Sequence, residues 1–253
     1  MKPQYTAEFR FHEELNDFLP PEQRQQTIPY RFNGHPGIKD PIEVLGVPHP
    51  EVELIIVNGQ PVEFDYRLQS GDRVAVYPVF NNLDINSLSR LRKKPLRNPR
   101  FILDVNLGKL AKRMRLLGFD SLYRNDYRDE EVVNIAVSEQ RTVLTRDRRL
   151  LYIKQISYGY WVRSVNVENQ VDEIVRRFNL YGSIQPFARC LVCNGVLVPV
   201  SKADILDRLE AKTRLYYEMF YQCTDCQRIY WEGSHIENMR KTYEAMLRRF
   251  SNV

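Results

Sequence analysis

The stretch FILDVNLGKLAKRMRLLGFD, residues 101–120, decides the fold of the larger part of this chain. Residues 101–105 form a short apolar run with the length of a buried strand. Leu107, Leu110, Ala111, Met114 and Leu117 then recur at helical spacing until Gly118 closes the helix. Toward the carboxyl end the alternation continues, with strands expected at 121–123, 142–145 and 160–162 and helices at 129–138, 148–155 and 168–178. Such alternation predicts a parallel sheet with right-handed crossovers, in which ligands collect beyond the carboxyl ends of the strands.

Three carboxylates fall where that rule points. Asp104 ends the first strand, Asp147 lies two residues past 142–145, and Asp129 opens the helix before that strand. Neighbouring parallel strands stand about 5 Å apart, so acids at their carboxyl ends can converge on one cation. Clustered carboxylates raise one another's pKa unless a divalent ion neutralises them, and hard oxygen donors favour Mg²⁺ or Mn²⁺. A cation there would activate water for in-line attack at phosphorus. Asp126, Glu130 and Glu131 lie close to Asp129, and spacing leaves open which of the four faces the metal; Asp129 ranks first and Glu130 second. Each acid also has a structural alternative: Asp129 and Asp147 as helix caps, Asp104 in a turn. Arg146, Arg148 and Arg149 either compensate Asp147 or bind phosphate.

Further along, Cys190-Leu-Val-Cys193 and Cys223-Thr-Asp-Cys226 use every cysteine of the chain. Each pair can wrap two thiolates around one ion from a tight turn, and four complete a closed tetrahedral Zn²⁺ site. The gap between the pairs exceeds usual zinc-ribbon spacing and is expected to hold a helix over 201–209. Arg189, Lys202, Arg208, Lys212, Arg214 and Arg228 are interleaved with Tyr216, Tyr217, Phe220, Tyr221, Tyr230 and Trp231, of which about two rings are expected to be exposed for stacking on single-stranded RNA. His235 is either a phosphate contact or an exposed helix-start residue. Ser234 and Glu237 form a capping box for a last helix that turns Ile236, Met239, Tyr243 and Met246 inward.

Toward the amino end the pattern changes. Residues 6–11 alternate as a strand, 14–19 suit a short helix, and 27–32 a second strand. Asp40, Pro41 and Glu43 make a capped helix start that Gly46 stops. Residues 52–57 and 62–64 flank the turn pair Asn58-Gly59, and 73–79 follow Ser70-Gly71-Asp72 as a last strand. This order resembles the ubiquitin-like β-grasp of small sulfur-carrier proteins. Such carriers work through a free carboxy-terminal Gly-Gly; here Tyr77-Pro78-Val79-Phe80 follows and the chain continues, so a binding or scaffolding module is expected instead.

Composition agrees with a globular protein: 43% of residues are apolar and 27% charged, enough core to offset chain entropy. No apolar run approaches the roughly 18 residues needed to span a bilayer, and the opening residues lack a signal-peptide core, so no membrane role and a cytoplasmic location are expected. In that reducing compartment the thiols are metal ligands rather than disulfides. Residues 1–82 carry 7 Lys/Arg against 12 Asp/Glu, whereas 83–253 carry 30 against 20, which assigns polyphosphate binding to the later part.

The stretch 101–120, the later Val143-Leu-Thr-Arg-Asp147 and the paired Cys-x-x-Cys together resemble the PIN-like nuclease family named for the carboxy-terminal region of the Mut-seven exonuclease, over about 101–240. Members often carry a ubiquitin-like domain in front. The resemblance implies a Mg²⁺- or Mn²⁺-dependent ribonuclease, with Asp104, Asp129 and Asp147 as ligands and Thr145 in support. Where a fourth acid would stand, Ser164-Val165-Asn166-Val167 offers only polar groups before Glu168. The expected organisation is an α+β β-grasp domain at 1–82, a basic linker at 83–100, a PIN-like parallel-sheet α/β domain at 101–183, and a zinc ribbon with a last helix at 184–253. Catalytic residues are expected at Asp104, Asp129, Asp147, Glu130 and Thr145, with RNA contacts at Arg146, Arg148, Lys109, Arg113 and His235. The RNA partner is not resolved among tRNA, rRNA and mRNA. Two other readings stand beside the nuclease: a non-catalytic RNA-binding or ribosome-associated zinc protein, and an adaptor whose β-grasp domain takes a protein partner.

Overall fold

The computed structural model describes residues 4–78 and 100–231, together with 241, 244, 245, 247 and 248. Most of the expected linker, His235, and Ser234, Ile236, Glu237, Met239, Tyr243 and Met246 of the expected last helix lie outside the described residues.

In chain order the elements are β1 (Tyr5–Phe11), β2 (Ile28–Phe32), α1 (Lys39–Val44), β3 (Leu54–Val57), β4 (Gln60–Val62), β5 (Arg73–Tyr77), β6 (Phe101–Leu103), α2 (Gly108–Leu116), β7 (Ser121–Leu122), α3 (Asp129–Ser138), β8 (Thr142–Thr145), β9 (Gly159–Trp161), α4 (Val167–Arg177), β10 (Leu197–Val200), α5 (Ala211–Tyr216), β11 (Phe220–Cys223) and β12 (Ile229–Trp231). The chain divides into two compact units, one of residues 1–98 and 133–161, the other of 99–132 and 162–253.

The first unit is built on a five-stranded sheet of order β2-β1-β5-β3-β4, with β1 and β5 parallel and the other pairs antiparallel. Alternation along β1 explains its seating: Phe9 and Phe11 are buried while Glu8 and Arg10 face solvent. Ile38, Ile42, Ile55, Leu68 and Val76 complete that core at 0% exposure, each full burial contributing about 1.5–3 kcal/mol. Asn58 (φ 51°) and Gly59 (φ 84°) form the tight hairpin turn that their identities suggested. The expected capping box on α1 does not form. Buried Ile38 enters the helix already in αR conformation with its N–H on the Tyr66 carbonyl, so no extended cap residue exists, and Glu43 turns to the His49 ring at 2.6 Å instead.

The same unit holds the parallel pair β8 and β9, and a 3-10 turn over Arg148–Tyr152 lies between them. Trp161 at the end of β9 packs onto the ubiquitin-like core.

In the second unit β6 and β7 pair in parallel, and α2 is the crossover between them. α2 packs against α4, and Phe101 meets Phe178 edge-on at 5.4 Å. Gly118 ends α2 at φ 92°, and a Cβ there would collide with the Gln185 backbone. Strands β10, β11 and β12 form an antiparallel three-stranded ribbon. The helix expected over 201–209 is a 3-10 turn, Ala203–Arg208, and the α-helix in the insertion is α5.

Candidate functional site

The four cysteines come together from two tight turns. Their Sγ atoms all lie within 4.8 Å of one another, the one such group of three or more potential metal ligands among the described residues. Cys190 and Cys226 are 3.6 Å apart and Cys193 and Cys223 are 3.3 Å apart, with no disulfide. A tetrahedral thiolate site with Zn–S bonds of about 2.3 Å places its sulfurs about 3.8 Å apart, so this arrangement fits a zinc ion with little adjustment. Gly195 makes the approach feasible, since a Cβ there would stand 2.7 Å from Cys223 Sγ. Charge is unevenly distributed over the thiols. Burial pushes Cys190 up, but the Tyr230 hydroxyl and the N–H groups of Cys193 and Val192 outweigh it and hold the thiol down at about 6. Burial, reinforced by hydrogen bonds to the neighbouring thiols, pushes Cys193 up to about 12. A divalent cation would let all four ionise.

A buried arginine supports this knuckle. Arg115 is 3% exposed, and it donates from Nε to the Ser121 carbonyl (2.9 Å) and from Nη1 to the carbonyls of Leu191 (3.1 Å) and Val192 (2.9 Å). Asn194 adds a second tie, accepting the Ser121 N–H at 2.8 Å and donating to Asp120 at 2.7 Å. Neither residue was singled out from sequence. The available signal for Arg115 was its place inside the apolar run from Met114 to Leu117.

The expected acids each occupy a definite place. Asp104 directly follows β6 and is 7% exposed. Asp129 is the first residue of α3, and it and Glu130 are exposed, their side chains with no hydrogen bond or ion pair among the described residues. Their two competitors are engaged: Asp126 with Arg124 at 2.6 Å, and Glu131 accepting the Arg128 N–H at 3.0 Å. Asp147 caps the 3-10 turn, accepting the Arg149 N–H at 2.9 Å, and its other oxygen pairs with the Arg149 guanidinium at 3.3 Å. Those bonds, the guanidinium's first, hold its carboxyl below the usual range. Thr145 Oγ1 accepts the Asp147 N–H at 2.9 Å, which fixes the backbone that carries this acid. Asp104 and Asp129 belong to the second unit and Asp147 to the first.

Of the expected cationic contacts, Lys109 and Arg146 are exposed. Arg113 pairs with Glu168 at 2.9 Å, and the Arg148 guanidinium carbon lies over the Trp161 ring, 3.8 Å from its centroid. Around the thiols Lys202 pairs with Glu218, Arg189 with Asp120, and Arg214 donates to the Leu209 carbonyl. Of the six expected rings Tyr216 alone is exposed, at 71%; Phe220 is core, and Tyr230 turns its hydroxyl to Cys190 at 3.1 Å. No helix among the described residues is long and apolar enough to cross a membrane.

Comparison with known families gives two matches in series. Residues 4–84 match the family described as Mut7-C ubiquitin, and residues 99–243 match the one described as Mut7-C RNAse domain. No curated protein and no solved structure matches this chain.

Proposed function

Because the chain belongs to the Mut7-C RNAse domain family, with a Mut7-C ubiquitin domain before it, we propose that it is a divalent-metal-dependent ribonuclease, an endonuclease acting at Asp104, Asp129 and Asp147. The observation that carries this reading is the position of two of these acids within the matched region. Asp104 directly follows parallel strand β6, and Asp147 stands two residues beyond parallel strand β8, the end of a parallel sheet at which ligands bind. Asp129 and Glu130 extend the acidic set from the start of α3.

Oxygen donors of this kind suit Mg²⁺ or Mn²⁺, which when bound would neutralise the acids and lower the pKa of a water for attack at phosphorus. The chain's own part is to hold the carboxylates. Thr145 fixes the Asp147 backbone, and exposed Arg146 and Lys109 are available to the phosphate backbone of RNA. Zinc at the four cysteines closes the carboxy-terminal ribbon and is structural. The working boundaries are 1–82, 101–183 and 184–253, with a protein partner for the first domain and a cytoplasmic location.

One observation favours a second reading, an RNA-binding zinc protein without catalysis: Asp147 is already used as a cap and in an ion pair with Arg149. Cleavage of labelled RNA by wild type and by Asp104→Asn, with Mn²⁺ added, decides between them. Loss of cutting in the variant with RNA binding retained supports the nuclease. Equal cutting by both removes Asp104 from the reaction and overturns the proposed site, and RNA binding with no cutting by either leaves the binding protein.

A further inference from the structure

The turn that bears Asp147 is gripped by the ubiquitin-like domain through contacts made within the first compact unit. Arg148, the residue after Asp147, is held against two neighbouring rings, with its guanidinium carbon 3.8 Å from the Trp161 centroid and 5.3 Å from that of Phe18. Its Nη2 also donates to the Asp17 carbonyl at 3.2 Å. Phe18 and Trp161 are themselves in contact at 5.4 Å. At the far end of the turn the Tyr152 hydroxyl donates to the Gly46 carbonyl at 2.5 Å. Glu51, fully buried, accepts the Trp161 N–H, and a Cβ on Gly159 would stand 3.3 Å from Pro50. Three short segments of the ubiquitin-like domain, around residues 17–18, 46 and 50–51, therefore hold both ends of the Arg148–Tyr152 turn and the strand that follows it. Charge complements the fit: residues 141–154 carry five Lys/Arg and one Asp, against a domain with 12 acids and 7 bases in residues 1–82.

We propose that the ubiquitin-like domain acts in cis as the positioning element for Asp147, with Arg148, Tyr152 and Trp161 as positioning residues rather than RNA contacts. The proposal rests on the reading of Asp147 as a metal ligand. Its chemistry is preorganisation: a carboxylate on a short turn binds a cation tightly only if the turn is fixed before the cation arrives, and a stacked guanidinium with two backbone carbonyls as anchors supplies that rigidity. The carrier chemistry of free ubiquitin-like proteins plays no part in it.

The test uses the full chain and three variants, Arg148→Ala, Arg148→Lys and Tyr152→Phe, with Mn²⁺ as the metal probe. Arg148→Ala and Tyr152→Phe should each raise the Mn²⁺ concentration for half-maximal RNA cleavage about tenfold, leave the RNA KM within twofold, and recover most of kcat at saturating Mn²⁺. Arg148→Lys, which keeps a cation over Trp161, should fall between them and wild type. A rise in RNA KM with an unchanged Mn²⁺ curve would make Arg148 a phosphate contact and overturn the proposal. Hydrogen exchange keeps the question separate from catalysis. Amides of 148–152 should exchange at least tenfold faster in Arg148→Ala and Tyr152→Phe while β1 and β5 stay at wild-type rates. Wild-type exchange in both variants overturns the clamp whether or not the protein cuts RNA. Accelerated exchange in the variants of a protein whose wild type neither binds Mn²⁺ nor cuts RNA retains the clamp and discards the nuclease.

Discussion

The Nη1 of Arg115 donates to the Val192 carbonyl at 2.9 Å, joining the last turn of α2 to the first cysteine turn. With its bonds to Ser121 and Leu191, one buried guanidinium holds three main-chain carbonyls. Arg115→Met preserves bulk but strands those acceptors, at a cost of about 3 kcal/mol. Arg115→Lys should recover only part, because a single ammonium cannot match a planar fork. Urea unfolding checks the stability, and the rate of zinc transfer to a chelator, expected to rise at least fivefold, checks the turn.

Zinc affinity should fall steeply with acid. The Cys193 thiol, pushed up to about 12, must lose its proton to bind metal, and Cys190, held down at about 6, loses its own near neutrality. Binding therefore releases protons, and affinity rises with pH throughout the neutral range. Chelator competition between pH 6 and 8 should show a fall of at least tenfold per pH unit on the acid side. A flat profile would mean that the thiols are not the ligands. Cys193→Ser should release the metal and leave the 4–78 sheet folded.

Asp147→Asn separates capping from chemistry. Its carboxyl is depressed in the folded state, so it contributes stability above the unfolded carboxylate range near 3.9, and loses that contribution as pH falls through the folded value. The ion pair is weakly sheltered, with Arg149 91% and Asp147 40% exposed, and the asparagine oxygen still caps the turn. The expected cost is below about 1 kcal/mol at pH 7, and it vanishes once the pH has fallen through the folded value. Cleavage should nevertheless drop about a hundredfold or more. A stability loss without an activity loss would assign Asp147 to structure alone.

What could be read from sequence was what repeats locally. The bounds of α3 and β8 agree with the apolar periodicity, Asn58-Gly59 turns as its φ preferences require, and the Cys-x-x-Cys pairs meet as spacing suggested. Contacts set by distant packing were invisible. Arg148 reaches a carbonyl 131 positions away, and nothing near it in the chain distinguishes it from the exposed Arg146. Glu43 had the right spacing for a capping box but not the right backbone, since Ile38 enters α1 already helical. Of the rings in 216–231 about two are expected at the surface, and Tyr216 alone is exposed, because the ribbon uses Tyr217, Phe220, Tyr230 and Trp231 in its own small clusters.

The closest constraint on the second unit is Gly118, where two requirements coincide. Its φ of 92° is costly for any residue with a side chain, and a Cβ would collide with the Gln185 backbone, which approaches because its N–H bonds the Leu117 carbonyl at 2.9 Å. Neither strain can be relieved by rotating a side chain, since the obstacle is main chain. Gly118→Ala should therefore cost about 3 kcal/mol, the sum of a left-handed penalty of about 1–2 and an overpacking penalty of about 1–3. The segment from Gln185 leads directly to Cys190, so the shift should reach the thiols as well. Thermal melting should show a drop of about 6–12 °C, accompanied by faster zinc release. A variant that melts like wild type would mean that the α2 end and the 185–187 segment separate at little cost, and that the ribbon is held by Arg115 and Asn194 alone.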